Sequence, residues 1–252
     1  MTSKLGMVAL LPMKAQSVRV VSKNFRKFAG RPLYRWVLET LLKVPDIEKV
    51  VINTDARKIL EASGLRDGDA DGRVQIRDRK PELCGDLVSM NLVIADDVEA
   101  IDASAYLMTH TTNPLLSSAT IREAIDQYSS AVVNGTADSL FTVNRFQTRF
   151  YRQDGSAINH DPNNLIRTQD LEPWFEENSN LYLFSRESFK ATRARIGQNP
   201  LMMEVPRQEA ADIDGPDDWA IAEAIALYNR SLANGESWEK ENLESWQKER
   251  LK

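Results

Sequence analysis

Short, unbroken apolar runs alternate with segments of helical period through the first half of this chain, and that alternation leaves few folds open. Gly6–Pro12 (GMVALLP), Lys49–Asn53 (KVVIN) and Ala105–Thr109 (AYLMT) lack the every-other-residue polarity of a half-exposed strand, so each reads as a strand covered on both faces. Between them, Pro32 opens a helical pattern through Leu33, Trp36, Val37, Thr40 and Leu41. Ala56–Ala62 reads as a short helix, Val74–Arg77 as a brief strand and Asp86–Ala100 as a longer helix. Ser117 and Ser118 cap a helix expected to run to about Tyr128, and residues 138–144 read as a further strand. The expected fold class is α/β, a doubly wound, mostly parallel sheet. In such sheets ligands bind beyond the carboxyl ends of the strands, which directs attention to the loops after Pro12, Asn53 and Thr109.

The alternation breaks between Phe146 and Trp174. Asp154-Gly155 signals a hairpin there and Asp161-Pro162-Asn163 a turn, so the stretch reads as an excursion from the sheet. Asn180–Phe184 returns as a strand, and Gly215-Pro216 opens a long helix from Asp217 to Leu232. The expected organisation is a main α/β unit of residues 1–145 and 178–233, an insertion at 146–177, and a charged tail helix at 234–252 carrying Trp238, Leu243 and Trp246.

A formal net charge of −5 gives the chain no general attraction to nucleic acid or to an anionic membrane. The apolar run near the start, Leu5 to Pro12, is too short to span a bilayer. Cys84 is the single cysteine, so no intrachain disulfide can form, and a cytoplasmic location is expected. Against this acidic background, Lys14, Arg19, Lys23, Arg26, Lys27, Arg31 and Arg35 fall within one stretch that contains no acidic residue. The stretch follows the first strand and precedes the first helix, where phosphates meet backbone N–H groups and a helix N-terminus. A merely solvated basic face is the alternative. Neither G-x-x-x-x-G-K-[ST] nor G-x-G-x-x-G occurs, which leaves P-loop and dinucleotide-binding readings without support.

The loop resembles that of the acylneuraminate cytidylyltransferase family, whose pattern is R-x-x-S-K-G-x-x-x-K-N followed by G-x-P-L. Lys14 stands at the arginine position, Ser17 at the serine, Lys23-Asn24 at the closing pair and Gly30-Arg31-Pro32-Leu33 at the last element. Val18-Arg19 replaces the usual Lys-Gly. Arg79-Lys80-Pro81-Glu82-Leu83 with Asp86 and Ser89 is similar to R-P-x-E-L-x-x-D-x-x-S, and His110-Thr111-Thr112-Asn113-Pro114-Leu115 to Q-P-T-S-P-L. Arg167-Thr168-Gln169-Asp170-Leu171 and Glu177-Asn178-Ser179-Asn180-Leu181-Tyr182 resemble R-x-Q-x-L and E-N-G-A-x-Y, and Asp212-Ile213-Asp214 with Asp218 resembles D-I-D-x-x-x-D. These matches keep the family's order from residue 11 to residue 218.

The resemblance implies a Rossmann-like nucleotidyltransferase that moves CMP from CTP to the anomeric hydroxyl of a sialic-acid-like sugar acid and releases pyrophosphate. It implies that Lys14, Ser17, Arg19, Lys23, Asn24 and Arg79 serve the nucleotide, with Lys23 in the catalytic centre. It places His110, Thr112, Asn113, Arg167, Gln169 and Asn178 near the acceptor. Two of these keep a second reading: His110 as a histidine satisfied by local hydrogen bonds, and Arg167 as an ion-pair partner of Asp170 or Glu172. Asp212 and Asp214 are the implied Mg²⁺ ligands, and residues i and i+2 of an extended segment do project to the same side. Asp217 and Asp218 fit as favourable charges in a helix's first turn. The insertion is similar to the family's dimerisation arm, so a homodimer is expected. Transfer to another anionic acceptor, such as KDO or a sugar phosphate, and nucleotide-sugar binding without catalysis remain as alternatives.

Overall fold

The protein is described by a computed structural model over residues 6–17 and 20–234. Val18, Arg19 and the expected tail helix beyond Asn234 lie outside the described residues. The elements, in chain order, are β1 (Met7–Leu10), β2 (Lys27–Phe28), β3 (Arg31–Pro32), α1 (Leu33–Leu42), β4 (Ile47–Thr54), α2 (Arg57–Ala62), β5 (Val74–Asp78), α3 (Met90–Ala100), β6 (Ala105–Met108), α4 (Ser118–Val133), β7 (Ser139–Phe146), β8 (Trp174–Phe184), α5 (Arg186–Thr192), β9 (Pro200–Glu204) and α6 (Pro216–Ala233).

Seven strands form one sheet in the order β5-β4-β1-β6-β8-β7-β9. β1 pairs in parallel with β4 and β6, β4 with β5, and β7 with β9, whereas β8 runs antiparallel to both β6 and β7. The mostly parallel sheet follows from strands buried on two faces. In and just after β1, Met7, Ala9 and Leu11 enter one core with α1 and α4, while Val8 and Leu10 enter a second with Ile94, Val98 and Phe189. After β1 the chain builds outward to β4 and β5, then crosses back to place β6 on β1's other side. The crevice at this reversal is the place where such a sheet admits a ligand.

Several boundaries differ from those read in the sequence. Helix α3 begins at Met90 rather than Asp86, because the Ser89 hydroxyl caps Asn91 N–H and Gly85, at φ 114°, turns the preceding chain away from helix. Helix α4 continues to Val133, five residues past the expected end. Strand β8 starts at Trp174 instead of Asn180, since Phe146 to Val143 of β7 continue the ladder along Trp174 to Glu177. The excursion is thus an extension of the β7–β8 hairpin, closed by a small hairpin at Tyr151–Ala157. The apolar periodicity of β9 and α5 was too short to register in the sequence.

A third, smaller apolar cluster positions the site. Val20, Phe28, Ala29 and Leu33 from the basic segment pack with Ile213 and with Trp219, Ala222 and Ala226 of α6. Phe28 meets Trp36 and Trp219 edge-on, with ring centroids 5.6 and 5.4 Å apart. β2 and β3 pair across the two-residue turn Ala29-Gly30, and both turn residues have positive φ, 44° and 96°. That is a type I′ geometry, which accounts for glycine in the Gly-x-Pro-Leu string. Helix α6 clasps the turn: Ala29 N–H donates to Glu223 Oε1 at 2.6 Å, and Arg230 donates to Ala29 O at 3.3 Å. Replacing Trp219 by alanine removes the ring on which the cluster closes. Trp219→Ala is expected to lose about 3–5 kcal/mol, read as a fall in the urea midpoint with an unchanged m-value.

Candidate active site

A cleft of about 430 Å³ opens at the carboxyl ends of β1 and β6. Lys14, Ser17, Lys23, Asn24, Arg79, His110 and Thr112 all line it, with Asp86 and Met90 on the opposite rim. The sequence matches at the first-strand loop, at Arg79 and after β6 therefore converge on one cavity.

The first-strand loop is held from three directions. Ala15 N–H donates to Asp55 Oδ1 at 2.7 Å, just past the end of β4. Buried Asn24 donates through Nδ2 to Lys14 O at 2.8 Å and accepts from Thr111 Oγ1 at 2.6 Å. Its amide is thus committed to the loop and braces the cleft wall. Lys23 Nζ donates to Ile213 O and lies 4.0 Å from Asp214 Oδ1, which joins the basic loop to the acidic one. Lys14 reaches across the mouth to an ion pair with Asp86.

The acidic segment is irregular rather than a strand, but its alternation survives. Ile213 is fully buried and its N–H donates to Thr112 O at 2.9 Å, leaving Asp212 and Asp214 on the other side. Burial raises the pKa of Asp212, and the charges of Asp214 and Asp218 add to this, while the Thr112 hydroxyl and Lys23 oppose it. Asp212 Oδ1 is buried without a hydrogen-bond partner. Asp218 plays the helix-start role: its Oδ2 accepts from Asp214 N–H at 3.1 Å and Gly215 N–H at 2.7 Å.

Arg79 is half-buried, and loss of hydration lowers its pKa. Its guanidinium donates to Asn53 Oδ1 at 2.9 Å, Asn53 O at 2.8 Å and Met13 O at 3.2 Å. Beneath it, Asn53 Nδ2 donates to Asp97 Oδ1 at 2.8 Å, and Arg77 pairs with the same carboxylate. Asn53 and Asp97 are wholly buried. The sequence did carry a signal for this chain of contacts. Asp97 falls on the apolar period of α3, between Ile94 and Val98, where a carboxylate needs a buried partner.

Other sequence candidates lie elsewhere. Asn113 is fully buried and absent from the cleft wall. Asn178 is also buried, accepting from Thr142 Oγ1 at 2.7 Å and donating to Asn144 Oδ1 at 3.0 Å. The next residue, Ser179, has φ 59° at a break in the β7–β8 register. The glycine of E-N-G-A-x-Y thus marks a backbone bulge, and the Ser179-Asn180 substitution shapes this bulge, not the cleft. Arg167 and Gln169 are exposed on the arm, where Arg167 makes a bidentate pair with Asp170 at 2.7 and 3.0 Å. Arg195, missed in the sequence, stacks 3.8 Å above the Tyr182 ring and donates toward His110 Nε2 at 3.4 Å. Burial, with the charges of Arg195 and Lys23, pushes His110 down to about 3.

A basic cleft at the sheet's switch point, joined through Lys23 to an acidic segment, suits a phosphorylated ligand and is the arrangement of a nucleotide-handling protein. A family profile described as Cytidylyltransferase matches residues 8–232. The chain belongs to the cytidylyltransferase family, the enzymes of CTP-dependent nucleotidyl transfer. It is 23% identical over 233 residues to the CMP-N,N'-diacetyllegionaminic acid synthase of Legionella pneumophila, covering 88% of this chain and 97% of that protein. It is 22% identical to the pseudaminic acid cytidylyltransferase of Campylobacter jejuni, covering 90% and 98%. It is 25% identical to the N-acylneuraminate cytidylyltransferase of Oncorhynchus mykiss, where the match covers 89% of this chain but 51% of the longer relative. Among solved structures, a CMP:2-keto-3-deoxy-manno-octonic acid synthetase complexed with CTP superposes with a TM-score of 0.61 at 13% identity, covering 89% of this chain and 99% of that one. The 4-diphosphocytidyl-2C-methyl-D-erythritol synthase of Anaerococcus prevotii gives 0.61 at 12% identity, covering 89% and 97%. These two share the fold.

The network under Arg79 predicts a pH signature. Burial lifts Asp97 to about 6 from its ordinary 3.8, against the Asn53 hydrogen bond and Arg77. A raised folded-state pKa means that the stabilising term is full below the unfolded value and is lost as pH rises through the folded one. Wild-type stability should therefore fall between pH 4 and pH 7 relative to Asp97→Asn, by on the order of 2–3 kcal/mol. Parallel urea titrations of the two proteins across that range measure the difference in slope.

Proposed function

We propose that this cytidylyltransferase transfers CMP from CTP to the anomeric hydroxyl of a nonulosonic, sialic-acid-like sugar acid, with release of pyrophosphate. The observation that carries the reading is the convergence of Lys14, Lys23 and Arg79 on one cleft, with Lys23 at the same time 4.0 Å from the carboxylate of Asp214 in the acidic segment. The names of the full-length bacterial relatives, a legionaminic and a pseudaminic acid enzyme, support the acceptor class.

In this reading the acceptor hydroxyl attacks the α-phosphorus in line. A new O–P bond forms as the bond to the β-phosphate oxygen breaks, so negative charge gathers on the phosphoryl oxygens and the departing pyrophosphate. Lys14, Lys23 and Arg79 are fixed donors for that charge; held by hydrogen bonds before substrate arrives, they need little reorganisation during transfer. Asn24 and Asp55 hold the loop that bears the lysines. With a pKa near 3, His110 is too weak a base to take the acceptor's proton at neutral pH.

Asp212 and Asp214 fit a hard divalent cation, because Asp212 carries a buried carboxylate oxygen without a hydrogen-bond partner and the charge of Asp214 lies close enough to act on it. They would hold Mg²⁺ together with phosphate oxygens and water, since no set of three or more His, Cys, Asp or Glu side chains suited to a metal exists among the described residues. Bound there, Mg²⁺ would supply charge neutralisation and Lewis acidity.

The arm supports a homodimer. Tyr151, Ile158, Leu165, Ile166, Trp174 and Phe175 are all exposed on it, more apolar surface than an isolated hairpin in water should carry. Multi-angle light scattering should give twice the 28.5 kDa chain mass, and a monomer would remove this part of the proposal.

The test of the main reading is pyrophosphate release with CTP, ATP, GTP or UTP across a panel of nonulosonic acids and KDO. Release is expected with CTP and a nonulosonic acid. Asp212→Asn and Asp214→Asn should each lower kcat by on the order of 10²–10³-fold. Full Mg²⁺-dependent turnover by Asp214→Asn would overturn the metal assignment. CTP binding with no turnover on any acceptor would overturn the catalytic reading.

A further inference from the structure

Arg195 belongs to none of the sequence matches, yet it is held from several sides directly behind His110 of the cleft wall. It lies between α5 and β9, with a side chain only 20% exposed. Its guanidinium stacks on Tyr182, a fully buried residue of β8, at 3.8 Å. One terminal nitrogen donates to Glu177 Oε1 at 3.2 Å, and the hydroxyl of Tyr182 donates to that same oxygen. The other terminal nitrogen meets His110 Nε2 at 3.4 Å, and the backbone N–H is directed at Asn91 Oδ1, also at 3.4 Å. Aromatic face, carboxylate and imidazole thus fix the guanidinium plane from three sides.

This arrangement decides the chemistry of His110. A guanidinium has donors and no acceptor, so the imidazole must accept at Nε2 and carry its proton at Nδ1. The charged groups that face the ring are Arg195 and Lys23, both cationic, and neither favours an imidazolium. His110 lines the cleft directly after β6, beside Thr112, whose hydroxyl bonds Asp212. A ring in this state offers the cleft a neutral N–H donor with a fixed positive charge behind it. That combination suits an acceptor that is itself an anion.

We propose that Arg195 is a positioning residue for acceptor recognition, holding His110 as the Nδ1–H tautomer so that the ring, with the guanidinium charge behind it, receives the carboxylate of the sugar acid. The inference rests on the functional reading above for the identity of the acceptor, but the tautomer stands apart from it. Glutamine, which the related motif has at this position, satisfies the same logic. Its amide oxygen can accept from Arg195 while its NH₂ donates into the cleft.

The protein contains two histidines, His110 and His160, so imidazole ¹⁵N NMR resolves the question without substrate. His160→Gln serves only to assign the two rings. Expected for the wild type is a His110 ring protonated at Nδ1 and unprotonated at Nε2, constant from pH 5.5 to 8. Arg195→Met should shift it to a mixture of tautomers. In steady-state kinetics, Arg195→Met should raise the KM for the sugar acid tenfold or more, with the KM for CTP changed less than threefold. The unchanged CTP KM guards against simple misfolding. His110→Gln should retain at least tenfold more kcat/KM for the acceptor than His110→Ala. A wild-type ring protonated at Nε2, or an acceptor KM indifferent to Arg195→Met, overturns the proposal. If the wild type turns over no sugar acid, the functional reading and the carboxylate assignment fall together, while the spectra still decide the Arg195–His110 pairing.

Discussion

The site depends on a contact between two loops that are 190 residues apart. Lys23, mostly buried in the middle of the basic segment, places its ammonium on the carbonyl of Ile213 and beside the carboxylate of Asp214. The side chain of Ile213 meanwhile closes the apolar cluster of Val20, Phe28, Leu33 and Trp219. Apolar burial supplies a non-directional force that brings the loops together, and the lysine supplies direction. Without the cluster, a cationic loop and an acidic loop would meet only through screened surface charges, which hold little. With it, the Lys23 ammonium is held 4.0 Å from the carboxylate of Asp214 at the wall of the cleft.

The same division between burial and direction explains what the sequence disclosed. Strands β1, β4 and β6 were legible because each must be apolar on both faces, a pattern that few other structures require. The late start of α3 was not, because residues 86–89 carry no helix breaker and only the Ser89 cap and the turn at Gly85 set the boundary. Lys14, Lys23, Arg79 and Thr112 could be brought to one cleft by motif order alone, since the loops after successive parallel strands share one edge of the sheet. Asn113 and Asn178 could not be separated from them, because a motif records that a polar side chain stands at a position and not whether it faces ligand or core. Both amides are buried, and Asn178 braces a bulge at the strand break.

Arg195 was illegible for a different reason. Its meaning comes from Tyr182 and Glu177 of β8 and from His110 after β6, which meet only after β8 has inserted antiparallel between β6 and β7. That insertion is the one departure from a parallel sheet, and it has a consequence for chemistry. An antiparallel strand begins where its neighbours end. β8 therefore delivers Glu177 to Tyr182 to the same edge at which β1 and β6 release their loops. The arm at the start of β8 and the residues behind His110 are thus one continuous piece of chain.

That continuity sets a physical limit on how the His110 side of the cleft can vary. Changing a residue at the cleft wall after β6 alters a loop, at little cost to the core. Changing Tyr182 or the bulge at Ser179 alters a buried strand whose hydrogen bonds also define Asn178, Thr142 and the root of the arm. His110 is the cheap position and Arg195 with Tyr182 the expensive one. A neutral ring at His110 depends on the expensive pair being in place, because only a fixed guanidinium dictates which nitrogen carries the proton. Arginine at 195 and a ring at 110 are therefore coupled through one hydrogen bond, and a chain with glutamine at 110 needs that arginine less for tautomer than for charge.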